Sequence, residues 1–317
     1  MSRAETAPDV SAAGASKPRP LTETAVAVLG AGRMGSAMAA RLAGQGAQVI
    51  VFNRTLSRAE DLAGRIGARA ATTAANAAAD ADVLITMVAD EDAVVGLYRH
   101  SGGILDGLSA RTVAVDMSTV LPDTIRGLEK DVRNTGAGVL DAPVSGSVPL
   151  VEAGTLTIMV GGEPEDLARA RPVLEAMSRR IFHLGPLGAG ATMKLAVNDI
   201  VFALGGALAE ALVLAEKAGI DRSVAYDVFA DSAVASPFVG YKREAYVDPD
   251  RTPVGFSVDL ARKDLRLILD LARRVRADMP QAEVNLAQLE ETAEDVGGDR
   301  DFAALAEHLR KRRVGMA

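Results

Sequence analysis

One stretch, Val26 to Thr55, constrains the fold more than any other part of this chain; it reads VAVLGAGRMGSAMAARLAGQGAQVIVFNRT. Val26 to Leu29 is a wholly apolar run, the pattern of a parallel strand covered on both faces. Gly30, Gly32 and Gly35 follow at once in the order Gly-x-Gly-x-x-Gly. Met34, Met38 and Leu42 then recur at helical spacing until Gly44 and Gly46 interrupt them, and Gln48 to Phe52 reads as a second strand. Strand, glycine turn, helix and strand in this order predict a mononucleotide-binding half. Gly30 permits the tight turn, Gly32 lets the main chain approach a pyrophosphate, and Gly35 lets the helix lie against the strand. The free N–H groups and positive dipole end of that helix would face the phosphates.

The end of the second strand bears on which dinucleotide is bound. An Asp or Glu there would bind the ribose 2′-hydroxyl of NAD. This chain has Asn53, Arg54 and Thr55 instead. A carboxylate would repel a 2′-phosphate, whereas Arg54 can pair with one and Asn53 and Thr55 can hydrogen-bond to it. By itself this is a polar loop after a strand; beside the glycine turn it favours NADPH over NADH.

With 317 residues the chain has room for two domains, each with its own core. A net charge of −7 gives no reason to expect nucleic acid or an anionic membrane as partner. There is no Cys, which excludes disulfides and thiol chemistry, and His100, His183 and His308 have no metal-ligand spacing. No metal is expected. Met1 to Thr22 is rich in Ala, Ser, Pro and Thr and reads as a disordered tail, neither secretory signal nor transit peptide. Leu195 to Leu214 is very apolar but carries Asn198, Asp199 and Glu210, so it reads as a buried helix, with no membrane span. A cytoplasmic location is expected.

Along the chain, Ser57 reads as the cap of a helix to Ile66. Val83–Met87, Thr112–Asp116 and Val139–Asp141 read as strands, with helices at Asp92–Tyr98 and from Pro122 to Arg133. Short apolar strands alternating with helices predict a Rossmann-type doubly wound parallel sheet. Leu156–Val160 and Ile181–Leu184 would extend it around a helix from Pro164 to Met177. After Gly185 no strand pattern remains. A long helix from Met193 to Lys217 precedes further helices from Arg222, Ser257, Gln281 and Asp301, with Pro237, Pro249, Pro253 and Pro280 as breakers between them. The division expected is a tail over 1–22, a nucleotide-binding domain over 23–185 and an all-helical domain over 186–317. So apolar a long helix in a small domain needs partners, and a dimer interface would supply them.

Four later stretches could carry chemistry. Asp116-Met117-Ser118-Thr119 ends a strand, where open α/β sheets bind ligands. Asp141 to Ser147 ends the next, and its Ser145, Gly146 and Ser147 could cradle a carboxylate. Each is also what an ordinary strand exit looks like. Lys194 and Asn198 share a helix face, with the lysine either snorkelling to water or held in a cleft. Lys263-Asp264 reads by itself as a solvated charge pair.

Together these stretches resemble the β-hydroxyacid dehydrogenase family. The motifs GAGRMG, DMST, DAPVSG, GTLTIMVGG, a glycine turn before KLAVN, and KDL occur in that order from about Thr24 to Leu309. The Asn-Arg-Thr ending and the Lys-x-x-x-Asn spacing look most like the NADPH-using glyoxylate/succinic semialdehyde reductase branch. The resemblance implies that Lys194 is the catalytic acid/base and that Asn198 orients it or the substrate. It implies that Ser118, Ser145, Gly146 and Ser147 hold a small substrate's carboxylate and that Phe256 walls the pocket. It assigns Ala31, Arg33, Met34, Met87, Val88, Thr119 and Lys263 to the cofactor, beside the glycines. Similar proteins are dimers or tetramers whose helical domains interlock.

Ser147 departs from the pattern, since the family usually has glycine there, and a side chain would narrow the cradle or add a donor. An imine reductase also resembles this architecture, but such proteins generally lack both the lysine and DAPVSG. A non-catalytic NADPH-binding scaffold would have lost the lysine, which is present.

Overall fold

The apolar runs become interior strands because both faces of the sheet are covered. In the computed structural model, which describes residues 20–312, the first half alternates strand and helix. It comprises β1 (Ala25–Leu29), α1 (Arg33–Gly44), β2 (Gln48–Phe52), α2 (Leu56–Ile66), β3 (Arg69–Ala70), α3 (Ala74–Ala79) and β4 (Val83–Thr86). It continues with α4 (Glu91–Arg99), β5 (Val113–Asp116), α5 (Pro122–Asn134) and β6 (Gly138–Asp141). These strands lie parallel in the order β3-β2-β1-β4-β5-β6. Val26 and Val28 face one core with Met38 and Leu42, whereas Ala27 and Leu29 face another with Leu84, Tyr98 and Ile125. A strand alternates faces, so double burial demands an apolar residue at every position.

The sheet continues through β7 (Val144–Ser145), α6 (Val148–Glu152), β8 (Leu156–Gly162), α7 (Pro164–Glu175) and β9 (Ser178–His183). β8 is antiparallel to both β6 and β7, and β9 runs parallel along β8. Among the described residues, the elements after β9 are helices: α8 (Ala189–Lys217), α9 (Arg222–Asp231), α10 (Pro237–Val247), α11 (Val258–Val275), α12 (Pro280–Val296) and α13 (Leu305–Lys311). Leu195, Phe202, Leu208 and Leu212 of α8 run through a separate core with Tyr226, Tyr246, Leu265 and Phe302. By length and composition alone α8 could cross a membrane, yet 44% of its most apolar window is buried inside the molecule. β8 and α8 are in direct contact, so the second half is seated on the first.

The structure corrects several expectations. The residue capping α2 is Thr55, and Ser57 falls inside its first turn. Pro237 does not separate helices; it opens α10, as Pro280 opens α12, because a proline at the first helical position gives up no hydrogen bond. Ser236 caps α10 by accepting from the Val239 N–H. Of the expected tail, residues 1–19 lie outside the described residues, while Leu21–Glu23 form a turn of 3₁₀ helix. β3, α3, β7 and α6 had no counterpart in the sequence reading, being too short to show a period.

Candidate active site

At the end of β1 the glycines do different jobs. Gly30 has φ +112°, and a Cβ there would lie 2.2 Å from the Met87 carbonyl oxygen. One on Gly35 would lie 1.9 Å from the Gly30 carbonyl oxygen, so α1 packs on the turn backbone to backbone. Gly32, the N-cap of α1, has open space where its Cβ would be and no side chain capping the helix. An opening beside uncapped N–H groups fits a pyrophosphate. Met34 packs on the core beneath, and Met87 and Val88 flank the turn, half-buried.

Asn53 is engaged inside the protein. The Ala31 N–H donates to its Oδ1 at 3.1 Å, and its Nδ2 donates to the Thr55 carbonyl at 3.0 Å. It braces the glycine turn against the end of β2, with both atoms of its amide engaged. Arg54 and Thr55 are exposed, as is Arg33. Neither arginine makes a hydrogen bond or ion pair among the described residues.

At the ends of β4 and β5 lies a buried carboxylate. Asp116 accepts from Thr86 Oγ1 at 2.5 Å and from Ser118 Oγ at 3.0 Å, and the Val88 N–H donates to Ser118 Oγ at 3.1 Å. Burial pushes the Asp116 carboxyl up to about 6, against the pull of those hydroxyls. Ser118 Oγ therefore faces inward, onto the Asp116 carboxylate. Ser145 and Gly146 are half-buried at the exit of β7, and Gly146 has φ +142°. The Ser147 hydroxyl beside them is buried and has no hydrogen-bond partner among the described residues.

On α8, Lys194 is half-buried, and its ammonium donates to nothing among the described residues. Burial lowers its pKa to about 8; the Asp264 carboxylate opposes that shift and the Lys263 ammonium adds to it. One turn on, buried Asn198 donates through Nδ2 to Asp264 Oδ2 at 2.8 Å. Asp264 Oδ1 pairs with Lys263 Nζ at 2.7 Å, and that ammonium also donates to the Thr119 carbonyl at 2.7 Å. Asn198, Asp264, Lys263 and Thr119 thus form one polar chain from α8 through α11 to the loop after β5. Lys263 and Asp264 are not a solvated pair: Asp264 is only 2% exposed.

Of the Lys263-Asp264 pair, only Lys263 was expected at the site, yet Asp264 is a member of it too. It lies at helical spacing among Ala261, Leu265 and Ile268, all buried, and an acid on an apolar stripe is the signal that could have found it. Phe256 stacks on Phe202 of α8 with ring centroids 6.1 Å apart. Its backbone N–H donates to Asp301 Oδ2 at 3.2 Å, and Lys242 Nζ donates to both oxygens of that carboxylate at 2.7 and 2.9 Å.

Residues 25–185 match the family described as the NAD-binding domain of 6-phosphogluconate dehydrogenase. Residues 188–309 match that described as NAD-binding of NADP-dependent 3-hydroxyisobutyrate dehydrogenase. A 3-hydroxyisobutyrate dehydrogenase of Pseudomonas aeruginosa is 36% identical over 291 residues, covering 89% of this chain and 97% of that one. The chloroplastic glyoxylate/succinic semialdehyde reductase 2 of Arabidopsis thaliana is 33% identical, over 92% of this chain and 80% of its own. The structure of the Mycobacterium tuberculosis 3-hydroxyisobutyrate dehydrogenase with L-serine superposes with a TM-score of 0.78 at 34% identity, covering 90% of this chain and 99% of that one. With a glycine turn built for a dinucleotide and an ammonium presented by the following helical half, the chain belongs to the β-hydroxyacid dehydrogenase family, NAD(P)-dependent oxidoreductases acting on CH–OH groups.

Proposed function

We propose that this enzyme reduces a short aldehyde acid, such as glyoxylate or a semialdehyde, with NADPH, or runs the same chemistry backwards on a 3-hydroxy acid. The observation that carries this reading is the half-buried, unpaired Lys194 with its pKa near 8. The nicotinamide, when bound, supplies or takes up hydride. Lys194 Nζ gives a proton to the carbonyl oxygen during reduction and removes it from the hydroxyl during oxidation. Asn198, held by Asp264, sets the lysine's surroundings and orients the substrate. Ser145, Gly146 and Ser147 receive the carboxylate, and Phe256 closes the apolar side.

NADPH is favoured over NADH because Arg54 is an exposed guanidinium without a partner among the described residues, and no carboxylate ends β2. A homodimer or tetramer through the helical half is part of the same reading. It is supported by Ile200 and Leu214 of α8, which stand 67% and 72% exposed.

The test is a panel of aldehyde acids, hydroxy acids and cyclic imines followed at several pH values with both cofactors. Reduction needs the ammonium, so its rate should fall as pH rises through about 8; oxidation needs the free amine, so its rate should rise through the same value. Turnover of imines alone, or limbs unrelated to this value, would remove Lys194 from the chemistry.

A further inference from the structure

We infer that Asp141 is the positioning residue for Lys194, latching the first turn of α8 to the end of β6, inside the sheet, with the help of Arg126. The inference rests on the reading of Lys194 as the proton donor. Asp141 is the last residue of β6 and is 1% exposed. Its Oδ1 accepts from the Gly188 N–H at 2.7 Å and its Oδ2 from the Ala191 N–H at 2.6 Å. The N-terminal N–H groups of any helix need acceptors, and here the helix's own cap, Gly188, has no side chain to provide one. The acceptor comes from the other half of the molecule, and it is a carboxyl group at the positive end of the dipole.

Arg126 of α5 makes a second tie, donating from Nε to the Leu187 carbonyl at 2.9 Å. The helix start also touches the sheet closely. A Cβ on Gly190 would lie 2.3 Å from the Met159 carbonyl oxygen, and one on Gly161 would lie 2.4 Å from Asp141 Oδ1. Nothing larger than glycine fits between them.

The position of this latch matters for the reaction. Lys194 sits one turn beyond Ala191, so the latched turn sets where its side chain begins. In the other direction, Asp141 runs straight into Ala142-Pro143-Val144-Ser145-Gly146-Ser147, the proposed carboxylate cradle. One carboxylate therefore joins the residues that hold the substrate to the helix that presents the proton. A displacement of about 1 Å at reacting groups can cost on the order of a hundredfold in rate. Loosening the latch would also readmit water around the amine and raise its pKa from about 8.

The test uses the full chain with NADPH and compares Asp141→Asn, Arg126→Met, Lys194→Ala and the Asp141→Asn/Lys194→Ala double variant. Asp141→Asn should lower kcat roughly ten- to a hundredfold. It should leave NADPH affinity within about twofold, because the glycine turn is untouched, and should move the alkaline limb of reduction upward. Arg126→Met should show a smaller loss of the same kind. In the Lys194→Ala background, Asp141→Asn should add little, because it acts through that amine. A lowered melting temperature with kcat and pH limb unchanged, or losses that multiply in the double variant, would overturn the latch. Should Asp141→Asn fail to fold, Arg126→Met carries the test, its side chain being half exposed. If Lys194→Ala itself retains turnover, the proton-donor reading falls; if it is dead while Asp141→Asn is normal, only the latch does.

Discussion

The glycine turn and the polar chain around Lys194 differ in how far apart in sequence their partners lie. The turn is braced by Ala31 and Asn53, separated by 22 residues and joined within one strand–helix–strand unit. The second site depends on Asn198 meeting Asp264, 66 residues away, and on Lys263 meeting Thr119, 144 residues away. In the first, backbone geometry leaves room for a ligand; in the second, charges from separate elements are assembled around an amine. Nucleotide affinity and proton transfer should therefore fail independently.

The sharpest way to separate them is Lys194→Ala. Turnover should fall at least about a hundredfold, the usual contribution of a general acid–base group, while fluorescence titration finds NADPH binding unchanged. Loss of both together would mean that the two regions are one.

Asp264→Asn comes next in size. It leaves Lys263 without its carboxylate and should destabilise the protein by about 2 kcal/mol, a hydrogen bond to a charged group being worth about 1.5–3 kcal/mol; the midpoint of denaturant unfolding reads this. The Asp264 charge holds the Lys194 pKa up, so removing it should move the alkaline limb of reduction below about 8. Asp141→Asn is expected to move the same limb the other way. Two acids with opposite effects on one amine would show that one acts through charge and the other through placement.

Arg54→Ala should weaken NADPH about tenfold, roughly 1.4 kcal/mol, and leave NADH nearly unchanged. Equal weakening of both would deny Arg54 a role at the 2′-phosphate. The smallest effect is expected of Ser147→Gly, which removes a buried hydroxyl without a partner among the described residues. It should reorder the acids accepted by a few-fold in kcat/KM while NADPH affinity holds. An unaltered ranking would make the hydroxyl a bystander.

What the sequence revealed follows the range of the forces involved. β2 is legible to the residue and β1 to within one, because a doubly covered sheet demands uninterrupted apolar runs, and the turn between β1 and α1 is legible because it admits only glycine at Gly30 and Gly35. Pro237 misled, since a proline opens a helix as readily as it ends one, and only the neighbouring Ser236 cap tells which. Ser118 shows a limit of another kind. A serine at a strand end can face a ligand or a buried acid, and the acid it faces shares its own motif.

By itself, then, the order of residues determined a nucleotide turn, a parallel sheet, a helical second half and a lysine on an apolar helix, all consequences of local geometry and periodic burial. Only the tertiary structure decided that half-buried Lys263 and buried Asp264 are partners of Thr119 and Asn198, and that a carboxylate at the end of β6 caps α8. Such pairings join groups far apart along the chain. Their energies depend on the desolvation each group meets once the two halves close on one another, a quantity no stretch of sequence carries.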